Sequence, residues 1–355
     1  MNRRSFVQLS AGGLVGVTLP VRWPAAGRGK VLVWLELNGG NDGLNTVIPY
    51  RDVLYQRARP TLAMADGPLL SRELILHPAL SPLQPLWAQR RLAFALGVGW
   101  PEPTRSHFRA MDQWATASRS GSSTGWLAAV TDRRGSGRPL VALGPSGSRA
   151  LEGGRAPSLQ IGPRPLVARA PDLLLPARAG ANATLRQMLE IEAVGEQQLQ
   201  RLLSALAPLP QGIALPAGSL GQQIGLALRL IGSEAPPAAL QLAQGGYDTH
   251  SNQATGHPRA LQELAAALVA FDRGLQQLSR RPQVTLLVTS EFGRRFAENQ
   301  SQGTDHGSAS VAFVLGDHVP HPFIGTYPSL SQRDDRGDLI PNLTIQQLYS
   351  QVEAL

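Results

Sequence analysis

Five short polar segments each bring carboxylates, imidazoles or hydroxyls together. They are Gly39-Gly40-Asn41-Asp42-Gly43-Leu44-Asn45, Pro103-Thr104-Arg105-Ser106-His107-Phe108, Gly245-Gly246-Tyr247-Asp248-Thr249-His250, Ser290-Glu291-Phe292-Gly293-Arg294 and Gly303-Thr304-Asp305-His306-Gly307. Asp248 and His250 are two residues apart. In extended chain such residues point the same way, so a carboxylate and an imidazole can share one cation. Glu291 ends an apolar run, and a carboxylate buried there needs a cation, an arginine or a set of donors. His306 adds an imidazole before another apolar run. Asp42 sits in a glycine-rich turn whose flexible backbone can bring a carboxylate to a ligand. Thr104 and Ser106 flank Arg105 where a helix begins; a hydroxyl there is activated by a cation or a general base, and His107 is a candidate base. The chemistry these types suggest is metal-assisted hydrolysis. In such chemistry Arg105 could clamp an anion with paired donors.

Each segment also has a plainer reading. Asp42 reads as a turn residue bonding its own backbone. Thr104 and Ser106 read as helix caps, and His107 as a helix-surface residue. Asp248 and His250 read as a hydrogen-bonded pair, and Glu291 as the salt-bridge partner of Arg294. The grouping of all five segments at strand ends favours the site, because open α/β sheets build their sites there.

The elements that must position them are strands alternating with helices. Val31–Leu37 and the runs 92–98, 239–243, 284–289 and 311–315 are compact and apolar, as buried strands are. From His107 onward Phe108, Met111, Trp114 and Ala115 recur at helical spacing. Helices are also expected over 184–206, 220–231 and 260–278. The last carries Leu261, Leu264, Leu268, Phe271, Leu275 and Leu278 on one stripe. This order predicts an α/β fold with a mostly parallel sheet covered on both faces. The Gly-, Pro-, Arg- and Ser-rich stretch 133–180 reads as an irregular insertion within one domain spanning 29–355.

Composition narrows the function. The chain has 355 residues and a net charge of +8, yet Lys30 is its one lysine and its arginines are scattered. No basic stripe or aromatic platform accompanies that charge, which argues against nucleic acid and remains compatible with a small anionic substrate. There are no cysteines, so disulfides, thiolate metal sites and cysteine nucleophiles are excluded. Arg3-Arg4 before Phe6, with the weakly apolar stretch 9–21 and Ala25-Ala26-Gly27 beyond it, reads as a twin-arginine export signal over 1–28. It is too short for a membrane span, and no transmembrane segment is expected in the mature chain. The export machinery is then a partner, and the mature protein is expected in the periplasm or secreted.

The five segments, in this order, resemble the domain-of-unknown-function 1501 family. Asn45-Thr46-Val47-Ile48-Pro49-Tyr50 and Leu76-His77-Pro78-Ala79-Leu80 contribute to the match. That family resembles a branch of the alkaline phosphatase and sulfatase superfamily. The resemblance implies a three-layer α/β/α sandwich, alkaline-phosphatase-like, with one or two divalent metals. Zinc is the first choice, with manganese, magnesium or calcium as alternatives. It assigns Asp42, Asp248, His250, Glu291 and His306 to the metal and Thr104 or Ser106 to the nucleophile. Phe292 stands where many members of that superfamily carry a histidine, which implies a single or altered metal site. The expected activity is hydrolysis of phosphate or sulfate esters. The competing expectation is an exported binding or surface-assembly protein that keeps the fold without the chemistry. A metal-free serine hydrolase built on Ser106 is disfavoured because Ser106 does not lie in a Gly-x-Ser-x-Gly elbow.

Overall fold

β-Branched and apolar runs too short for helices form the centre of the molecule. The computed structural model describes residues 15–17, 29–144, 147–162, 204–279 and 281–355. Most of the expected signal segment, the insertion beyond 162 and nearly all of the helix expected over 184–206 lie outside the described residues. The strands are β1 (Val15–Val17), β2 (Val31–Leu37), β3 (Val47–Ile48), β4 (Ile75–Leu76), β5 (Leu92–Gly99), β6 (Leu140–Ala142), β7 (Ser158–Ile161), β8 (Ala239–Gln244), β9 (Val284–Ser290), β10 (Ser310–Leu315), β11 (Phe323–Ile324) and β12 (Leu343–Thr344). The described α-helices are α1 (Val53–Ala58), α2 (Gln84–Ala88), α3 (His107–Thr116), α4 (Trp126–Arg133), α5 (Ser219–Ile231), α6 (Gln253–Gln277) and α7 (Ile345–Ala354).

The main sheet has the order β1-β7-β6-β8-β2-β9-β10-β5-β11, with β12 also pairing β5. The run β7-β6-β8-β2-β9 is parallel, whereas β1 and β10 run against their neighbours. β2 lies near the middle and is apolar on both sides. Its Val31, Val33, Leu35 and Leu37 join one core cluster, and Leu32 and Trp34 join the other. α5 and α6 cover the first face through Leu220, Ile224, Leu261, Leu264, Leu268 and Phe271. α3, α4 and α7 cover the second through Trp114, Trp126, Leu127, Leu348 and Val352. Two faces, each covered by helices, make the expected α/β/α sandwich. Among the described residues no helix is long and apolar enough to cross a membrane.

Two expectations are corrected. The stretch 133–180 is not merely irregular, because its described part supplies β6 and β7 to the main sheet. Both strands are only three or four residues long, too short to show a period among glycines and prolines. α6 begins at Gln253, seven residues before the expected start, and contains Pro258. That proline forfeits one backbone hydrogen bond but does not end the helix.

The topology decides where chemistry can occur. β2, β5, β8 and β9 point the same way, and β10 starts at the edge where β9 and β5 finish. The segments after Leu37, Gly99, Gln244 and Ser290, and the one before Ser310, therefore meet along one edge.

Candidate metal centre

Three imidazoles and one carboxylate converge at that edge. His107 is the first residue of α3, and Asp248 and His250 follow β8. His306 precedes β10. Ligand atoms of His107, Asp248 and His306 all lie within 4.8 Å of one another. Asp248 Oδ1 is 3.1 Å from His306 Nε2 and 3.0 Å from His250 Nε2. The two histidine Nε2 atoms are 2.9 Å apart. His107 Nε2 lies 3.6 Å from Asp248 Oδ2.

The other nitrogen of each ring is spoken for. His107 Nδ1 is 2.8 Å from Glu291 Oε1, His250 Nδ1 is 3.0 Å from Asp305 Oδ1, and His306 Nδ1 is 2.9 Å from the Arg105 carbonyl. A carboxylate or carbonyl can only accept, so each Nδ1 carries the hydrogen and each Nε2 of a neutral ring presents a lone pair; the tautomers are inferred from these acceptors. His250 Nε2, His306 Nε2 and Asp248 Oδ1 then face one another as three acceptors about 3 Å apart. Such a grouping is repulsive unless a cation or added protons sit among them. Metal-ligating histidines are held in this way, by an acceptor on the far nitrogen. His107, Asp248 and His306 fit a divalent ion in spacing and donor type, and His250, against Asp248 and His306, would add a nitrogen donor of the kind zinc takes.

Electrostatics follow from the same contacts. Partial desolvation works to raise the Asp248 carboxyl, but the Arg294 hydrogen bond and charge, together with the His306 and His250 rings when they are protonated, hold it at about 2. The Glu291 hydrogen bond raises His107 above the ordinary imidazole range, against the effect of burial. Asp305 is lowered, chiefly by its bond with His250.

The remaining expected residues fall into three places. Glu291 stands behind His107 and does not face the centre directly. Its Oε1 accepts from the Gly39 N–H at 2.8 Å, and its Oε2 accepts from the Ser290 hydroxyl at 3.0 Å. Asp42 is not drawn into the centre. It is buried, and its Oδ2 accepts from Arg59 and from Gln253, each at 2.5 Å. An arginine charge takes the place that the sequence reading gave to a metal. Arg105 does not present a free clamp either: its guanidinium is paired with Asp338 and, at 3.5 Å, with Asp334. The Arg105 Nε donates to the His306 carbonyl at 3.2 Å, so this residue braces the His306 loop.

The two hydroxyls differ. The Ser106 N–H donates to Thr104 Oγ1 at 3.3 Å. Ser106 is exposed at the cap of α3, and its side chain makes no capping bond. Phe292 is buried, with its ring centroid 5.0 Å from that of His107 and 4.6 Å from that of His306. It closes one side of the centre with hydrocarbon.

Sequence reasoning missed the role of Arg294. It does not pair with Glu291. Fully buried, it donates to the carbonyls of Gly40 at 2.7 Å, Thr304 at 2.6 Å and Tyr247 at 2.8 Å, and to that of Gly39. A further bond of 2.8 Å reaches Asp248 Oδ1. One guanidinium thus ties together the segments after β2 and β8 and the one before β10. An open cavity of about 310 Å³ adjoins the centre, lined by Arg105, His250, Arg295, Asp305, His306 and Arg336. Arg105 and Arg295 share the Asp338 carboxylate, which leaves Arg336 as the lining arginine without a carboxylate partner among the described residues.

The family described as protein of unknown function (DUF1501) matches residues 168–350, more than half of the chain. The chain belongs to the DUF1501 family. No curated protein matches it. Among solved structures it is similar to the C-terminal periplasmic domain of EcEptC from Escherichia coli, in complex with Zn. Identity is 10%, the TM-score is 0.42, and 92% of this DUF1501 chain and 84% of that chain are covered. It is also similar to Ps i-CgsB, at 10% identity and a TM-score of 0.44, covering 91% and 71% of the two chains. The same Ps i-CgsB in complex with k-i-k-neocarrahexaose gives 10% identity, a TM-score of 0.42 and coverage of 94% and 73%.

Proposed function

We propose that this protein is an exported, metal-dependent hydrolase of phosphate or sulfate esters. The observation that carries the reading is the set of three imidazoles whose Nδ1 atoms are all held by acceptors while their Nε2 atoms gather around Asp248. His107, Asp248, His250 and His306 would hold the ion, zinc first by donor type. When bound, a divalent ion supplies Lewis acidity toward an ester oxygen and toward the departing one.

The chain's own groups do the rest. Arg336 and Arg295 border the cavity and would orient the anionic group of the ester. Ser106, exposed and next to His107, is the preferred nucleophile, and Thr104 the alternative. The Ser106 oxygen would bond to phosphorus or sulfur as the ester oxygen leaves as an alcohol, the serine proton passing to solvent and the leaving oxygen taking one from it. Water would then attack the same phosphorus or sulfur, release phosphate or sulfate and restore the serine hydroxyl. Asp305 and Glu291 keep His250 and His107 turned toward the ion. Phe292 restricts the centre to one ion and shields it on one side.

Elemental analysis of protein purified without chelator, followed by 4-nitrophenyl phosphate and 4-nitrophenyl sulfate assays, tests the reading. Stoichiometric metal with turnover that Ser106→Ala abolishes without loss of metal is the expected result. Protein lacking both metal and turnover would sink it. The second reading is an exported binding or surface-assembly protein. Its support is the buried Phe292 and the neutralised Arg105, and its mark would be bound metal with no turnover on any ester. Export itself is checked by fractionating cells that express the Arg3→Lys, Arg4→Lys chain, which is expected to stay in the cytoplasm.

A further inference from the structure

We propose that Gln253, oriented by Asp42 and Arg59, is the positioning residue that locks the two ligand-bearing loops of the metal centre together; the inference rests on the metal reading above. Gln253 is the first residue of α6 and is buried. Its Oε1 accepts from two hydroxyls at once, Thr249 Oγ1 at 3.0 Å and Thr304 Oγ1 at 2.6 Å. Thr249 lies between Asp248 and His250, and Thr304 lies two residues before His306. One amide oxygen therefore fixes the spacing between the loop that supplies a carboxylate and an imidazole and the loop that supplies a second imidazole. The Thr304 N–H to Thr249 carbonyl bond of 3.1 Å runs beside it, joining the same loops through the backbone.

An amide can be turned over, so something must decide which end faces the threonines. Asp42 does so. Its Oδ2 accepts from Gln253 Nε2, which forces the carbonyl end toward the hydroxyls. Asp42 is in turn fixed by Arg59, whose NH1 also reaches Asn45 Oδ1 at 2.7 Å while its Nε and NH2 reach the carbonyls of Phe296 at 3.0 Å and Arg295 at 2.9 Å. The chain of contacts runs Arg59, Asp42, Gln253, then Thr249 and Thr304. Every member is buried. The carboxylate that sequence alone assigns to the ion thus serves the ion at one remove.

The test uses the full-length protein stripped with chelator. Zn²⁺ affinity is read by competition with a chromogenic chelator, and urea unfolding of the metal-free protein is read in parallel. Gln253→Leu, and the double variant Thr249→Val with Thr304→Val, are each expected to weaken Zn²⁺ about 10–100-fold, as loss of an outer hydrogen-bond partner does. Added to Gln253→Leu, the two threonine substitutions are expected to weaken binding no further, because their acceptor is already gone. Undiminished Zn²⁺ affinity in both variants, or additive losses in the combined variant, would overturn the inference and leave the metal reading standing. A wild-type protein that binds no Zn²⁺ would overturn both. If Gln253→Leu does not fold, the nearly isosteric threonine variants decide alone, with unchanged affinity counting against the inference.

Discussion

His107 Nδ1 lies 2.8 Å from Glu291 Oε1, and that contact sorts the two residues into different roles. The imidazole spends its N–H on the carboxylate and turns its other nitrogen toward Asp248. Glu291, which the family resemblance assigns to a metal, instead holds the His107 ring. Its buried side chain is further held by the Gly39 N–H and the Ser290 hydroxyl, so it has little freedom to swing inward.

Glu291→Gln is therefore expected to weaken metal binding about tenfold and not to abolish it, because the amide oxygen still accepts from His107. His107→Ala, which removes a ligand, is expected to cost more. Chelator competition on the two variants separates these roles. Complete loss of metal from Glu291→Gln would mean that the carboxylate is itself a ligand.

Arg59 and Asp42 form an ion pair with side-chain exposures of 0% and 1%, so breaking it strands a charge in the core. Arg59→Met is expected to lose about 3–5 kcal/mol of stability, read as a lower urea midpoint. The double variant Arg59→Met with Asp42→Leu is expected to recover part of that loss. A midpoint within error of wild type in the single variant would contradict the burial.

Glu36 gives a pH dependence. Burial pushes its carboxyl from 4.5 up to about 8, helped by the Glu291 charge and opposed by the hydrogen bond from Gln241. The folded protein keeps a proton that the unfolded chain releases. This group's contribution to stability is thus complete below pH 4.5 and is lost as pH rises through about 8. The loss is on the order of a few kcal/mol over that window. Glu36→Gln is expected to flatten the dependence and to raise the urea midpoint at pH 8. An unchanged slope would show that Glu36 titrates normally.

Gly40 has φ of +79°, and a Cβ built there would stand 2.4 Å from Phe292 Cε2. Gly40→Ala must move the ring that packs on His107 and His306. Besides about 1–3 kcal/mol of backbone strain, the substitution is expected to weaken metal binding. The parallel measurement of affinity and urea midpoint distinguishes this from general destabilisation, for which a remote core variant such as Leu264→Ala serves as reference.

Much of the fold is legible because the strands are continuous apolar runs. Val31–Leu37, buried on both faces, has the composition that a central parallel strand must have. His250 and His306 stand out in the sequence because their motifs abut such runs, and the fold brings their Nε2 atoms to 2.9 Å. Asp42 misleads for a physical reason. An aspartate in a glycine-rich turn looks the same in sequence whether it faces an ion or an arginine. Arg59 lies in no motif, and only the folded chain brings it there. His107 was legible as chemistry but assigned to proton transfer; nothing in its spacing shows that its ring turns toward Asp248. Gln253 left no signal at all, since a lone glutamine near a helix start has no distinguishing pattern. The short β6 and β7 were hidden by the Gly- and Pro-rich composition around them.

His306 and the Arg105 carbonyl that holds its ring are 201 positions apart along the chain. The groups of the centre come from the ends of separate strands, so no excised half of the protein carries a working set. Loss of the ion would be felt far from the edge where it sits, because it removes a tether joining distant stretches of chain. A truncation that ends between His107 and His306 removes part of the donor set together with β10 from within the main sheet, and should yield a fragment blind to metal.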